Sequence, residues 1–305
     1  GVLRLINNPI VKKRNLPKYV KKLLREEKWL SKKKFNNLYL VGGTWRSLFK
    51  LHLFQNNHPV HIIHQYSIDK STLSKFVEKV SSFNKSKLKT VEYISKSRTQ
   101  FLPYSSIILD EIMSITNPKK IICSISGLRE GSLSIDHFKN TKESEIFTKS
   151  IEYIALKRGD LGSTYQKYFK FILPVFDGNE HYNKKLLYLA CVLSHMDWGL
   201  GAFQKAELVF QETLNTPLLR LTHKERIQLA LSCYWRYCSI KYNPKFEYLT
   251  FLNNNEIFSS KQVGAALRFS QSLTSISTIF LEEFKLYKRG TVSYTHLTLP
   301  TSRSV

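Results

Sequence analysis

The stretch Tyr39 to Leu53, YLVGGTWRSLFKLHL, constrains the chain more than any other. An apolar run ends on Gly42-Gly43, and a helical pattern begins at once, with Trp45, Leu48, Phe49 and His52 at i, i+3, i+4 and i+7. This predicts a buried strand, a tight glycine turn and a helix. Such a junction presents unpaired backbone N–H groups at the helix start. The missing Cβ atoms let an anion approach, and the helix dipole favours negative charge there. Thr44 adds a hydroxyl and Arg46 a planar cationic fork suited to phosphate. The Walker lysine is lacking, so this is not a P-loop. From these residues, a phosphate loop and a plain packed turn both stay open.

The same unit recurs. KKIICSISG is a β-branched run closing on Gly127, and LREG follows, with Arg129, Glu130 and Gly131. There Arg129 could reach an oxyanion and Glu130 a cation or water, or Arg129 and Glu130 could simply cap a helix start. Helical patterns cover PKYVKKLLREEKWLSKKK, DKSTLSKFVEKVSSF (Asp69 or Ser71 as N-cap) and FLPYSSIILDEIMSITN, which Asn117-Pro118 stops. HPVHIIHQYSI reads as a strand or extended connection because of Pro59. Strand, glycine turn and helix in alternation predict α/β layers with a ligand at the carboxyl ends of the strands. From about Asn140, helical patterns follow one another with few strand signals, so an all-α unit is expected.

The chain has 305 residues, enough for one large or two ordinary domains. No run approaches a membrane span. Lys+Arg 47 against Asp+Glu 23 gives a net charge of +24. A polyanionic partner and an AT-rich coding sequence account for that charge equally well. Cys123, Cys191, Cys233 and Cys238 lack CxxC spacing and read as buried thiols in a reducing compartment. His58, His61 and His64 lie three apart, but strand alternation puts His61 and His64 on opposite faces, a poor ligand set. His195 and Asp197 in SHMDW lack the further ligands of a metal phosphohydrolase, so no metal residue is assigned.

Near the end, VSYTHLTLPTSRSV breaks from everything before it. Val292 to Thr301 back-translates without strain as a transposase-type sequencing adapter, so 291–305 is expected to form no domain.

Three segments taken together, LYLVGGTWRSLFKLHLFQNNHPVHIIHQYSI, LPYSSIILDEIMSITNPKKIICSISGLREGSL and LLYLACVLSHMDWG, resemble the exopolyphosphatase / guanosine pentaphosphate phosphohydrolase (Ppx/GppA) family. The resemblance implies the second half of an actin-like (sugar kinase/Hsp70-like) ATPase fold over 1–139, followed by a helical HD-like domain over 140–290. It implies a cytoplasmic Mg²⁺-dependent enzyme that removes terminal phosphate from polyphosphate or the 5′ γ-phosphate from guanosine pentaphosphate, with a homodimer as a compatible assembly. Neither membrane nor nucleic acid is an expected partner of such an enzyme; the alternative is a non-catalytic basic polyanion- or nucleic-acid-binding protein. Gly42, Gly43, Thr44 and Arg46 then correspond to a phosphate-binding loop, and Gly127, Arg129, Glu130 and Gly131 to a cleft-lining element. The family's D-x-G-S-N-S loop, its water-activating glutamate and its D-x-G-G-G-S loop have no counterpart here. The expectation is therefore a piece starting after the main catalytic part, inactive alone, with catalytic residues upstream of Gly1.

Overall fold

A computed structural model describes residues 13–32, 35–138, 143–157, 164–195, 201–216, 218, 221–242, 244, 246–274 and 280–286. The expectations for 291–305 and for Asp197 fall outside them. The chain divides into two compact units, Gly1–Lys139 and Asn140–Val305.

The first unit is built on a three-stranded sheet. Its strands are β1 (Asn37–Val41), β2 (Ser67–Asp69) and β3 (Lys120–Ser124), in the order β1-β3-β2. β1 runs parallel to β3, in register from Asn37↔Lys120 to Val41↔Ser124, while β2 is antiparallel to β3. The central β3 carries the buried Ile121, Ile122 and Cys123, as a strand covered on both faces must. Six described helices matter to the core and the site here, the first being α1 (Leu16–Glu26). The others are α2 (Gly43–Gln55), α3 (Lys70–Ser81), α4 (Leu102–Thr116) and α5 (Leu128–Phe138), with a short turn of helix at Lys96–Thr99. Leu48, Phe49, Leu73, Val77 and Leu109 close on Leu40 and Ile121 to form the core. Leu16 and Val20 seat α1 on Ile108 of α4.

Three expectations change in detail. The basic segment after Pro17 is not one helix, because α1 ends at Glu26 and a separate turn of helix spans Lys28–Lys32. The extended segment before Asp69 is a strand at Ser67–Asp69, preceded by bonds from Gln65 N–H to the Cys123 carbonyl and from Cys123 N–H to the Tyr66 carbonyl. Asp69 is the N-cap of α3, but its side chain makes no cap bond. Asn117 ends α4 in the left-handed region, at φ 43°, where its short polar side chain is tolerated.

The second unit is helical: α6 (Glu143–Lys157), α7 (Thr164–Phe176), α8 (Lys184–Leu193), α9 (Ala202–Asn215), α10 (His223–Tyr237) and α11 (Asn254–Thr274) are its longer described helices. Thr222 and Glu225 form a reciprocal capping box at the start of α10. The fully buried Arg226 then uses its guanidinium to cap α9, donating to the carbonyls of Leu214 (3.1 Å), Thr216 (2.6 Å) and Leu218 (3.2 Å). The last carbonyls of a helix lack intrahelical partners, and a cation suits their partial charge. α10 and α11 meet so closely at Gly264 that a Cβ there would stand 2.6 Å from Trp235 Cβ and 2.8 Å from the Ser232 carbonyl.

Candidate functional site: two loops at the end of a parallel strand pair

Because β1 and β3 are parallel neighbours, both strands discharge their loops at one rim of the sheet. Val41 leads into Gly42, whose φ of 128° and ψ of 157° belong to glycine alone. That twist starts α2 immediately at Gly43. The first intrahelical bond at this end runs from Arg46 N–H to the Gly42 carbonyl (3.1 Å). The N–H groups of Gly43, Thr44 and Trp45 therefore have no carbonyl behind them within the helix.

Arg46 reaches from α2 across this end of the sheet. Its Nε is buried with no hydrogen-bond partner among the described residues. Its positive charge bears on two groups, Cys123 in β3 and Glu130 at the start of α5. Burial pushes the Cys123 thiol up to about 12, and Arg46 works against that rise. The exposed Glu130 carboxyl is held below its usual range, first by its own and the Gly127 backbone N–H groups, then by Arg129 and Arg46.

Glu130 accepts from the Gly127 N–H at 2.6 Å, and Gly131 N–H donates to the Gly127 carbonyl at 3.0 Å. This is half of a capping box at the start of α5. Of the two roles that LREG leaves open for Glu130, the structure displays the cap. Arg129 is exposed beside it. A Cβ on Gly127 would lie 3.8 Å from Val41 Cγ1, so the two loops adjoin; one on Gly131 would meet nothing within 4 Å. Behind β3, the buried His64 accepts from Ile125 N–H at 3.4 Å.

Sequence reasoning missed Arg98. Its guanidinium covers the start of α2, with Cζ 3.2 Å from where a Cβ on Gly43 would be. The site thus carries two arginines over a bare helix N-terminus. No local pattern marks Arg98, which arrives from a distant short helix.

The remaining histidines go elsewhere. His58 Nδ1 accepts from Val60 N–H, while His61 lies against Phe54. Among the described residues no group of three His, Cys, Asp or Glu could hold a metal ion. Glu130, the carboxylate at this rim, is engaged in its cap. These residues do not fit a protein-held Mg²⁺. In the second unit His195 is the last described residue before 201. Ser194 beside it is anchored by Arg236 Nη1 (2.7 Å, to Oγ) and by the Tyr237 hydroxyl (2.8 Å, to the carbonyl).

Chemically, the rim can grip a polyoxyanion: free N–H groups, a hydroxyl and two planar cations converge there. It offers no unengaged carboxylate to activate water among the described residues.

Residues 5–138 match the model of the Ppx/GppA phosphatase family. The crystal structure of the Aquifex aeolicus member of that family is similar at 17% identity with a TM-score of 0.39, covering 47% of this chain and 48% of that one. This chain therefore spans about half the length of that relative. No curated protein matches. Residues 5–138 are thus similar to the Ppx/GppA phosphatase family.

Proposed function

We propose that the β1–α2 and β3–α5 loops form a phosphate-gripping wall of a phosphoanhydride hydrolase acting on inorganic polyphosphate or guanosine pentaphosphate. The observation that carries this reading is Arg46, with a buried Nε that lacks a partner, placed beside the bare N-terminus of α2. A guanidinium held this way is poised for an oxyanion, which would give Nε the bond it lacks. Gly42 shapes the turn, Gly43 admits Arg98, and Thr44 supplies a hydroxyl. Arg129 stands at the facing loop.

In phosphoryl transfer, positioning and charge neutralisation carry most of the catalysis, and these residues supply both. Divalent metal dependence is general in the family, but no step here is assigned to a metal. The parallel β1–β3 pair with its loops at one rim supports the second half of an actin-like fold for 1–139. The helical unit over 140–290 is read as HD-like, with a structural or substrate-gripping role. A cytoplasmic setting and a homodimer go with this reading. Among the described residues, no helix is long and apolar enough to cross a membrane.

The test is calorimetric titration of tripolyphosphate into the full chain, alongside an assay of phosphate release. Saturable binding that Arg46→Met weakens by about tenfold supports the reading. Binding indifferent to Arg46 would sink it. Binding without release is expected of this chain alone; release under the same conditions would show that a water-activating group is present.

A further inference from the structure

A groove of about 580 Å³ lies in the helical unit, between α7 and the segment from Leu281 to Leu286. That volume falls in the range that takes a drug-sized ligand. Its floor is apolar: Phe171, Leu281 and Leu286 are buried residues of the core, and Pro174 and Phe284 complete it. Its mouth is cationic, with Lys167, Lys170 and Lys285. Glu282, the carboxylate among the described lining residues, is engaged by Lys167 Nζ at 3.1 Å. Lys170 and Lys285 form no ion pair among the described residues.

The backbone adds a third feature. Pro174 sits inside α7, where it has no N–H to give the Lys170 carbonyl one turn back. A helix carbonyl points along the axis toward the residue four places on. This one therefore lies on the face that Lys170 and Pro174 share, and both residues line the groove. An acceptor stripped of its intrahelical partner stands between the apolar floor and the ammonium groups, and it calls for a donor.

Each feature alone is permissive: lysine takes any anion, the floor any apolar group, the carbonyl any donor. Together they select a ligand that carries all three. We propose that this groove binds a nucleoside phosphate. The base lies against Phe284 and Pro174, one of its N–H groups donates to the Lys170 carbonyl, and the phosphate sits between Lys170 Nζ and Lys285 Nζ. A base offers an apolar face for stacking and N–H groups along its edge, and its phosphate accepts charge-assisted bonds one sugar away. A fatty acid would leave the carbonyl without a donor, and inorganic phosphate would leave the floor bare. The site gives the helical unit a ligand of its own and does not rest on the reading of the Gly42–Gly43 loop.

The experiment is calorimetric titration of the full chain with AMP and GMP, beside adenosine, guanosine and inorganic phosphate. Saturable binding of AMP, GMP or both is expected, with the nucleosides and inorganic phosphate each weaker by about tenfold or more. Lys170→Gln with Lys285→Gln, both on exposed surface, should weaken nucleotide binding about tenfold. Pro174→Ala is the sharper arm, because it returns an N–H to the Lys170 carbonyl. The melting temperature should then hold or rise while nucleotide affinity falls about fivefold. A proline with a structural role alone would move the melting temperature and not the affinity. Arg46→Met should leave nucleotide binding unchanged, which separates this groove from the rim of the sheet. The absence of saturable nucleotide binding overturns the proposal, as does inorganic phosphate binding as tightly as the nucleotides. So does affinity that survives either the lysine pair or Pro174→Ala, or that is lost with Arg46→Met.

Discussion

Arg98 rests its guanidinium on Gly43, with Cζ 3.2 Å from the point where a side chain would begin. The contact makes Gly43 a seat for a cation. Gly43→Ala should push Arg98 aside with little change in stability, because the displaced group is the exposed end of a flexible side chain. The measurable loss should be in tripolyphosphate affinity, severalfold, by calorimetry. Unchanged affinity would mean that Arg98 does not face the ligand.

Gly42 tells a different story two atoms away. Its φ of 128° is strained for any side chain, so Gly42→Ala should cost about 1–3 kcal/mol in urea unfolding. The contrast between adjacent glycines is itself the test: if both substitutions cost the same, the turn geometry described here is wrong.

Arg46→Met separates binding from stability. Removing a buried Nε that lacks a partner relieves a desolvation cost, so the midpoint of unfolding should hold or rise while oxyanion binding falls. A clear loss of stability would show that Arg46 is satisfied within the protein and is not waiting for ligand.

How much of this was legible beforehand follows from range. Trp45, Leu48, Phe49 and His52 announce α2 because helical spacing is local, and three of them, Leu48, Phe49 and His52, are indeed buried. The glycine turn is equally plain. Arg98 at Gly43 depends on a contact between segments far apart in the chain, and no spacing rule encodes it. Arg226 is a like case: nothing in THKERIQ marks it as the fully buried residue that ends α9. The helix break at Glu27 was invisible because the flanking residues are all good helix formers.

Acid should destabilise the first unit. Burial lowers the pKa of both His52 and His58 to about 4, from an ordinary value near 6.5. Above pH ~6.5 neither the folded nor the unfolded state binds these protons. As pH falls from ~6.5 to ~4 the unfolded state takes them up first, so stability drops progressively across that window, on the order of 3 kcal/mol for the nearly buried His52. His52→Gln should flatten the slope in urea titrations run at several pH values. An unchanged slope would show that His52 titrates normally.

Gly264→Ala should be severe in the helical unit. The new methyl would meet backbone at 2.8 and 2.9 Å as well as Trp235 Cβ, and backbone cannot swing away. A loss of about 2–4 kcal/mol and a lower Tm are expected by calorimetry. Wild-type stability would mean that α10 and α11 sit further apart.

The parallel pairing of Val41 with Ser124 has one more effect. A ligand that touches both outgoing loops ties together two strands already hydrogen-bonded to each other, and so resists unfolding of the whole sheet. By linkage, a hundredfold excess over Kd would add about 2.7 kcal/mol to that resistance. The melting temperature of the chain thus becomes a meter for its own ligand, able to rank phosphate compounds before any turnover is detected.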